Sequence, residues 1–365
     1  MCAYRRRAAR PGVALTEKLK SAVPLGDRTT IRIGGPARYF CEAESVDALV
    51  DALHNAQSEG LPFVILGGGS NIIFEDSGFD GLVLAIANRG ISILEESPGQ
   101  ILVEVQAGEE WDRFVKYAVD RGWSGIECLS GIPGRVGATP IQNVGAYGQE
   151  VSETIDSVLV YDLEEERLRE LKNQQCEFAY RTSLFKKQAT GRFIVTAVRF
   201  RLAPGGRCNL RYGELSRELG ADSTDDLARV RATVLKTRRS KGMVIDPDDP
   251  MSVSCGSFFL NPVVSKQEWV ALLERAGLAA DAVPHFDTAD GIKIPAAWLI
   301  EKAGFKRGQR SGAVGLSEKH ALAIVNYDRA SSHELREFAR TIIERVQGRF
   351  GITLAPEPVF VGPAP

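Results

Sequence analysis

Apolar positions along the chain follow two spacings, one typical of helices and one typical of strands. Between Ser45 and Gly60, apolar residues recur every three or four positions behind a capping serine, which predicts a helix that ends at the glycine. The same spacing predicts further helices in the segments 109–123, 224–242, 265–277, 296–304 and 331–351.

Strand-like runs lie between the predicted helices. They fall at 63–66, 72–74, 81–86, 91–96, 101–108, 155–163, 192–202, 320–326 and 352–362. Strands and helices mix without a regular strand–helix–strand alternation, so the pattern predicts an α+β chain and not a doubly wound sheet. From about Gly206 the predicted elements are mostly charged helices. A length of 365 residues allows two or three domains.

Composition and charge argue against several classes of protein. Hydrophobic residues make up 44% of the chain and charged residues 25%, as in an ordinary globular protein. The net charge of −2 argues against bulk electrostatic binding to nucleic acid or to an anionic membrane, so we expect neither partner. No run is long and apolar enough for a membrane span.

The 6 cysteines are scattered and form no C-x-x-C pair. Their spacing suits neither a zinc site nor a disulfide framework, so we expect no metal, and reduced thiols in a cytoplasmic protein. The basic N-terminus, MCAYRRRAARPG, is followed by no apolar h-region, so we do not expect a secretory signal. Residues 1–15 are interpreted as a flexible tail or as the product of an early start codon.

Two glycine-rich loops are candidates for binding a ligand. GGGSN, from Gly67 to Asn71, leaves several backbone N–H groups to point at an anion, and Ser70 adds a side-chain donor. A hairpin turn is the alternative. The stretch from Ser130 to Gly148 carries a small residue every few positions, so a large flat ligand could lie close to its backbone. This stretch lacks the dinucleotide fingerprint G-x-G-x-x-G, and its apolar content argues against disorder.

Ser257 stands out for its surroundings. It follows Gly256 and precedes two phenylalanines, Phe258 and Phe259. Such a serine is either a turn residue or a reactive hydroxyl held in a dry pocket, and this stretch alone leaves both readings open.

Many segments of the chain resemble one family in the same order. They are TTIRIGGPA, LGGGSN, GLVLAI, ECLSGIPGRVGATPIQNVGAYGQEV, FAYRTSLFK, LRYGEL, CGSFFLNPVV, AAWLIEKAGF, HALAIVN and GITLAPEPVF. These motifs are similar to landmarks of the UDP-N-acetylenolpyruvoylglucosamine reductases, FAD enzymes that complete UDP-N-acetylmuramate for peptidoglycan. The resemblance extends from about Pro24 to Gly362 and is to the longer form, which carries a tyrosine on a closing loop.

The resemblance implies a two-subdomain FAD-binding fold of the PCMH/vanillyl-alcohol-oxidase type, joined to a separate α+β substrate-binding domain. Residues 16–88 with 350–365 would form the first FAD-binding subdomain and 89–241 the second. Residues 242–349 would bind the UDP-sugar. We expect a monomer in the cytoplasm.

The resemblance also implies a reaction and three catalytic residues. NADPH would reduce UDP-N-acetylglucosamine enolpyruvate through FAD, with hydride passing to C3 and a proton to C2. Ser257 resembles the proton donor, and Arg181 the arginine that holds the enolate-like intermediate. Glu357, expected within the last strand, resembles the C-terminal glutamate and would either pair with Arg181 or carry a raised pKa. The alternatives are a surface arginine and a solvated glutamate. The neighbours Phe178, Tyr180 and Phe185 argue against the first, and the two prolines beside Glu357 argue against the second.

The remaining site residues divide into cofactor and substrate contacts. FAD is expected to be non-covalent, because GGGSN holds no histidine or cysteine and Cys128 lies outside the usual attachment position. The implied cofactor contacts are Gly67, Gly68, Gly69, Ser70, Asn71, Gly137, Ala138, Thr139, Gln142 and Asn143. The implied substrate contacts are Tyr212, Lys241, Asn261 and His320, the last at a position where other members carry glutamine.

Two other functions are compatible with parts of the pattern. Another FAD oxidoreductase on the same scaffold, such as a sugar or alcohol oxidase, would keep the glycine loops but has no need for GSFFLNP or APEP. A flavin-binding module without turnover would bind FAD, but enolpyruvyl-UDP-sugar would not stimulate its oxidation of NADPH.

Overall fold

The structure, a computed structural model, describes residues 19–362. The chain divides into two compact units. The first unit comprises the described residues up to Val23, Ala37–Gly68 and Asp80–Arg239, and the second comprises Pro24–Pro36, Gly69–Phe79 and the described residues from Ser240 onward. The predicted tail, residues 1–15, lies outside the described residues.

Three of the described helices begin at a capping serine. In the described residues the helices are α1 Val46–Ser58, α2 Trp111–Asp120, α3 Gly213–Leu219, α4 Leu227–Ser240, α5 Lys266–Ala276, α6 Ala296–Lys302 and α7 Ser332–Phe350. Ser45 accepts from the Ala48 N–H at 3.1 Å, and Ser331 forms a capping box with Glu334. Every helix predicted from spacing is confirmed, and α3 is an addition.

The described residues form 22 strands. They are β1 Lys20–Pro24, β2 Pro36–Ala43, β3 Phe63–Leu66, β4 Ile72–Phe74, β5 Phe79–Ile86, β6 Ile91–Ser97, β7 Gln100–Gln106, β8 Trp123–Ser124, β9 Gly145–Ala146, β10 Gln149–Glu150, β11 Ile155–Asp162, β12 Arg167–Lys172, β13 Phe193–Pro204, β14 Cys208–Asn209, β15 Ser223–Thr224, β16 Val263–Val264, β17 Phe286–Thr288, β18 Gly291–Lys293, β19 Arg310–Ser311, β20 Val314–Leu316, β21 Ile324–Asn326 and β22 Val359–Val361.

The first unit is built on two sheets. One has the order β12-β11-β13-β7-β6 and pairs its strands antiparallel, with β8 added to β13. The other has the order β1-β2-β5-β3, and its β3 and β5 run parallel. Three aromatic rings lie in the core: Phe114 and Phe200 have centroids 5.0 Å apart, and Trp111 lies 5.9 Å from each of them. Burying such rings supplies much of the stabilisation of a core.

The second unit relies more on helices, since its strands are two or three residues long. Its sheets have the orders β16-β18-β17 and β19-β20-β21, and β22 pairs parallel with β4. The core contains Phe258, Phe259, Leu299 and Phe350, all at most 2% exposed. The mixture of antiparallel sheets and helices in both units confirms the α+β prediction. Among the described helices, none has the length and apolar character needed to cross a membrane.

Two expectations about strands are wrong, and one alternative is excluded. The segment 352–362 forms a strand only at Val359–Val361, because Pro356 and Pro358 have no N–H to donate. The segment 320–326 forms a strand only at Ile324–Asn326, since the chain turns at His320, whose carbonyl accepts from the Ala323 N–H at 3.2 Å. GGGSN is not a hairpin turn, because β3 pairs with β5 and β4 pairs with β22.

Candidate active site

The backbone on both sides of Ser257 is fixed in the second unit. Gly256 adopts φ +70°, a left-handed conformation that favours glycine, and turns the chain just before the serine. The next residue, Phe258, donates its N–H to the Leu322 carbonyl at 2.8 Å, and its ring lies 5.1 Å from that of Phe259. The Ser257 side chain is partly buried, and its hydroxyl has no hydrogen-bond partner among residues 19–362. The hydroxyl is therefore held by its backbone and left available to a ligand.

Glu357 lies on the segment next to Ser257. Its N–H donates to the Phe258 carbonyl at 2.9 Å, and Pro356 forms a bridge with Phe259. Burial and the charge of Glu357 raise the pKa of the Cys255 thiol to about 12. The second unit thus places the segments that carry Ser257 and Glu357 side by side, although Glu357 precedes the last strand and does not lie within it.

The end of the first glycine-rich loop borders the same segments. Asn71 donates from Nδ2 to the Glu357 carbonyl at 3.3 Å, and its own carbonyl accepts from the Val359 N–H at 3.0 Å. Thr30 donates its N–H to the Gly69 carbonyl at 3.0 Å and its hydroxyl to the Ser254 carbonyl at 2.7 Å. The threonine of the motif TTIRIGGPA therefore fixes the loop end near the serine segment.

The beginning of that loop meets the second glycine-rich loop in the first unit. A Cβ on Gly68 would lie 2.6 Å from the Gly134 Cα, so only glycine fits there without moving backbone. At Gly67, a Cβ would meet only the Ala138 Cβ, at the ordinary distance of 3.7 Å. The two glycine-rich loops singled out from the sequence are therefore in contact through their backbones.

The polar side chains of the second loop largely support the loop itself. Thr139 is 3% exposed and donates its hydroxyl to the Val136 carbonyl at 2.8 Å. Asn143 is 1% exposed; its Oδ1 accepts from the Ser152 N–H at 3.1 Å and its Nδ2 donates to the Glu150 carboxylate at 2.7 Å. Gly137 is partly buried and donates its N–H to the Ala107 carbonyl at 2.9 Å, while Gln142 is partly buried and Ala138 is exposed.

Arg181 occupies a strained turn in the first unit. Ala179 and Thr182 exchange two backbone hydrogen bonds of 3.1 Å, and between them Arg181 adopts φ +53°. This left-handed conformation costs a non-glycine residue about 1–2 kcal/mol. The guanidinium donates to the Gly145 carbonyl at 2.6 Å and lies 5.6 Å from the ring of Tyr180. Strain of this kind is concentrated at functional sites, which supports a role for Arg181 beyond the surface.

A second arginine near Arg181 was not singled out from the sequence. Arg238 lies in α4; burial and the charge of Arg181 lower its pKa, whereas Tyr147 and Asp112 act in the opposite direction. The run TRRSKG had indicated only a charged helix, and no spacing rule separates a buried arginine in such a run from exposed ones. The two arginines give this part of the first unit a local positive charge.

Tyr212 and Asn261 stand at the starts of helices. Tyr212 precedes α3, is 42% exposed, and lies with its ring centroid 5.3 Å from that of Tyr147. Asn261 accepts at Oδ1 from the Ala296 N–H at 2.9 Å and so caps α6. Its Nδ2 makes no hydrogen bond within the described part of the chain.

His320 and Lys241 influence each other in the second unit. Burial, together with the charges of Lys241 and Arg307, lowers the pKa of His320 to about 4. The Leu322 N–H donates to His320 Nδ1 at 3.0 Å, which requires Nδ1 to be an acceptor. The neutral ring therefore carries its hydrogen on Nε2.

Comparison with known proteins decides the family. Residues 248–361 match the model of the C-terminal domain of UDP-N-acetylenolpyruvoylglucosamine reductase, and residues 37–171 match that of an FAD binding domain. The chain is 46% identical to the UDP-N-acetylenolpyruvoylglucosamine reductase of Thermobifida fusca over 355 residues, which is 95% of this chain and 99% of that one. The chain belongs to the UDP-N-acetylenolpyruvoylglucosamine reductase family.

Other members agree with this assignment. The reductase of Mycobacterium avium is 41% identical over 360 residues, covering 93% of this chain and 95% of that one. The solved structure of the Thermus caldophilus reductase superimposes with a TM-score of 0.62 at 24% identity, covering 94% of this chain and 99% of that one. The likeness in structure, with the FAD binding domain match, confirms the predicted fold class.

The first unit has the features that this reductase family needs to bind a flavin. The N–H groups of Gly67 and Gly68 donate to no carbonyl among residues 19–362, so both can serve an anion such as a pyrophosphate. The contact between Gly68 and Gly134 lets two stretches of backbone approach the same ligand. The donor set of this unit therefore fits FAD.

Proposed function

We propose that this protein reduces UDP-N-acetylglucosamine enolpyruvate to UDP-N-acetylmuramate with NADPH and FAD, and so supplies peptidoglycan synthesis. The observation that carries the proposal is the hydrogen bond of 2.9 Å from the Glu357 N–H to the Phe258 carbonyl. This bond makes neighbours of two segments, one with the hydroxyl of Ser257 and one with the carboxyl of Glu357. The chain that holds them is 41% to 46% identical to named reductases.

Ser257 is proposed as the proton donor to C2. FAD, when bound, supplies the hydride that reaches C3. Phe258 and Phe259, which follow the serine, are at most 1% exposed, so the chain next to Ser257 enters an apolar core, which limits competing water. A serine hydroxyl is a weak acid, so the negative charge that develops at C2 must drive the transfer.

Arg181 and Glu357 are proposed to hold the substrate carboxylate and the negative charge that builds beside it. A guanidinium is planar and always charged, so it can donate two parallel hydrogen bonds to a carboxylate. Its anchor on the Gly145 carbonyl, at 2.6 Å, limits the rotation of the side chain. Glu357 in its neutral form would donate a hydrogen bond, and in its ionised form it would pair with a cation.

Four side chains are proposed to bind the UDP-sugar. Tyr212 is exposed before α3, which suits a loop that closes over a ligand. Lys241 would contact the diphosphate, and Asn261 would offer the Nδ2 that α6 does not use. His320 would donate from Nε2 as the amide of the family's glutamine does, since its Nδ1 is already an acceptor.

The loops Gly67–Asn71 and Gly137–Asn143 are proposed to hold FAD without a covalent bond, mainly through backbone groups. The contact of Gly68 with Gly134 supports this, as do the internal bonds of Thr139 and Asn143. We also propose the division into 16–88 with 350–365, 89–241 and 242–349, and a monomer located in the cytoplasm.

Two successive stopped-flow experiments on the purified holoprotein test the function. NADPH should bleach the flavin absorbance, and UDP-N-acetylglucosamine enolpyruvate added without oxygen should restore it. If NADPH bleaches the flavin and the enolpyruvyl sugar leaves it bleached, the substrate assignment is wrong. If NADPH leaves the spectrum unchanged, the donor assignment is wrong.

A further inference from the structure

Two buried cysteines, Cys128 and Cys208, lie side by side in the first unit. Cys128 belongs to the short 3-10 turn Glu127–Leu129, near the start of the second glycine-rich loop, and Cys208 opens β14. Their sulfur atoms are 3.6 Å apart, and each residue is at most 1% exposed. They are 80 residues apart along the chain, so cysteine spacing does not predict the pair.

Polar groups surround the two sulfurs. Gln149 accepts at Oε1 from the Cys128 N–H at 2.8 Å and donates from Nε2 to Glu127 at 2.8 Å. The same Nε2 is 4.0 Å from the Cys208 sulfur. The carboxylate of Glu127 and both sulfurs lie within 4.8 Å of one another. A base and a hydrogen-bond donor are therefore within reach of the thiols.

The two thiols are not equivalent. The hydrogen bond with Cys128 is the main cause that raises the pKa of Cys208 far above its usual range, followed by burial and the charge of Glu127. Either sulfur can donate its hydrogen to the other across the 3.6 Å contact. Glu127 precedes Cys128 directly in the chain, so we assign Cys128, the sulfur next to this carboxylate, as the one that meets an oxidant first.

We propose that Cys128 and Cys208 are an oxidisable pair, which hydrogen peroxide converts into a disulfide. The Cys128 sulfur attacks one peroxide oxygen, the O–O bond breaks, and a sulfenic acid and one water form. The Cys208 sulfur then attacks the sulfenic sulfur, the S–O bond breaks, and the hydroxyl leaves as a second water with the Cys208 proton. The two thiols lose two electrons in total, and one hydrogen peroxide becomes two waters.

The geometry allows this bond with small movements. A disulfide needs an S–S distance of about 2.05 Å, so the sulfurs, 3.6 Å apart, must approach by about 1.5 Å. Hydrogen peroxide is close to water in size. Strand β14 has two residues, and Arg207 and Asn209 beside Cys208 are exposed, so a local opening of this strand admits the oxidant.

The disulfide would restrain the chain that leads to Tyr212. It would join the turn Glu127–Leu129 to β14, from which only Leu210 and Arg211 lead on to Tyr212 and α3. The segment between β14 and α3 lies outside the closed loop, but its first end would then be anchored covalently through β14. Oxidation should therefore slow hydrogen exchange of the backbone amides from 209 to 219.

Mass spectrometry of the holoprotein before and after hydrogen peroxide tests the pair. We expect a loss of two hydrogen atoms and a cross-linked peptide containing Cys128 and Cys208, both reversed by dithiothreitol. Cys128→Ser and Cys208→Ser should each abolish the cross-link. Cys176→Ser, which changes another buried cysteine of the first unit, should retain it. Cys208→Ala, checked by its melting temperature, keeps the test valid if the serine variant does not fold.

Three results would overturn the proposal. One is a sulfinic acid on Cys128 with Cys208 still a free thiol. Another is a cross-link that survives Cys208→Ser and Cys208→Ala. The third is a protein purified with one bound zinc ion whose thiols resist peroxide until the ion is removed, since Glu127, Cys128 and Cys208 would then be metal ligands. If the disulfide forms without slowing exchange from 209 to 219, the restraint on the Tyr212 segment is wrong.

Discussion

The two units present their candidate site residues in opposite ways. In the first unit, Thr139 bonds within its own loop, and Asn143 bonds to Glu150 and Ser152 just beyond it. The contact of Gly68 with Gly134 brings backbone to the ligand. In the second unit, backbone hydrogen bonds fix the segments of Ser257 and Glu357, and the side chains remain partly exposed. A cofactor site can be built from backbone that comes close to the cofactor. Reactive side chains, in contrast, need a backbone that is already fixed by its own hydrogen bonds.

Arg181 is the exception in the first unit, because its proposed role depends on its side chain. Its φ of +53° is left-handed, as are those of Asn143 at +45° and Tyr147 at +51° in the same unit. Such conformations each cost about 1–2 kcal/mol, which the surrounding sheet must offset. The comparison therefore predicts that substituting side chains in the second unit lowers activity, whereas altering the backbone in the first unit weakens FAD binding. Arg181 belongs to the first unit but should respond to a change of its side chain.

The largest expected effect is that of Ser257→Ala. Loss of a positioned proton donor should lower the rate of flavin reoxidation by the enolpyruvyl sugar by about 10²–10⁴-fold. Reduction of the flavin by NADPH should stay within about threefold of the wild type, because that step needs no proton on C2. Stopped-flow absorbance measures both half-reactions on the same preparation.

The control for this serine is Ser265→Ala. Ser265 caps α5 at the surface of the same unit, so its loss should cost about 1 kcal/mol of stability and leave both half-reactions unchanged. If the flavin of Ser257→Ala is reoxidised at the wild-type rate, the second unit does not act through the side chain of Ser257.

Arg181→Lys should have the next largest effect. Lysine keeps the charge but loses the planar fork and cannot both hold the Gly145 carbonyl and chelate a carboxylate, so kcat should fall about 10–100-fold. Arg167→Lys is the matched control, since Arg167 lies exposed on β12 of the same unit. Steady-state kinetics decides the matter, and a kcat for Arg181→Lys equal to that of the control removes Arg181 from the site.

Gly68→Ala tests the backbone half of the comparison. The added Cβ would lie 2.6 Å from the Gly134 Cα, and because backbone cannot rotate away, the two glycine-rich loops must separate. We expect FAD to bind about tenfold more weakly, equivalent to about 1.4 kcal/mol, as measured by flavin fluorescence on release.

Gly348→Ala is the control for Gly68→Ala. Gly348 lies in α7 and a Cβ there would meet nothing within 4 Å, so alanine should leave FAD affinity unchanged and add about 0.5–1 kcal/mol of stability. Equal FAD affinity in the two variants would mean that the loop contact does not serve the cofactor.

Local signals in the sequence predicted the long helices well. Helices α1 and α7 combine apolar spacing with a capping serine and a following glycine, so three independent signals agree. Strand β12, RLRELK, was missed because charged residues dominate it and its pairing with β11 fixes it as a strand. Edge strands of this kind depend on tertiary pairing more than on propensity.

The features of the candidate site also divide into local ones, which the sequence predicts, and ones that depend on tertiary contacts. Glycine-rich loops and the serine between glycine and phenylalanine are local, so they could be found from the sequence. Other features of the site join distant parts of the chain. They are the hydrogen bond between Glu357 and Phe258, the interaction of Arg238 with Arg181, and the sulfur contact of Cys128 with Cys208. No spacing rule within one segment contains such information.

The last prediction concerns stability and not activity, and it depends on His320, a buried side chain of the second unit. Its pKa is lowered from 6.5 to about 4 by burial and by the charges of Lys241 and Arg307. Between these pH values the unfolded chain binds a proton that the folded chain does not. The free energy of unfolding should therefore fall as the pH drops from about 6.5 to about 4, with no contribution from His320 above that window.

His320→Gln removes this titration, so the variant should lose less stability than the wild type in acid. The difference should approach about 3 kcal/mol near pH 4, as measured by urea unfolding of the holoprotein at several pH values. His333→Gln, on the exposed face of α7, should follow the wild-type curve. Parallel curves for His320→Gln and the wild type would mean that solvent reaches this ring freely, and that the second unit does not shield the side chains it presents.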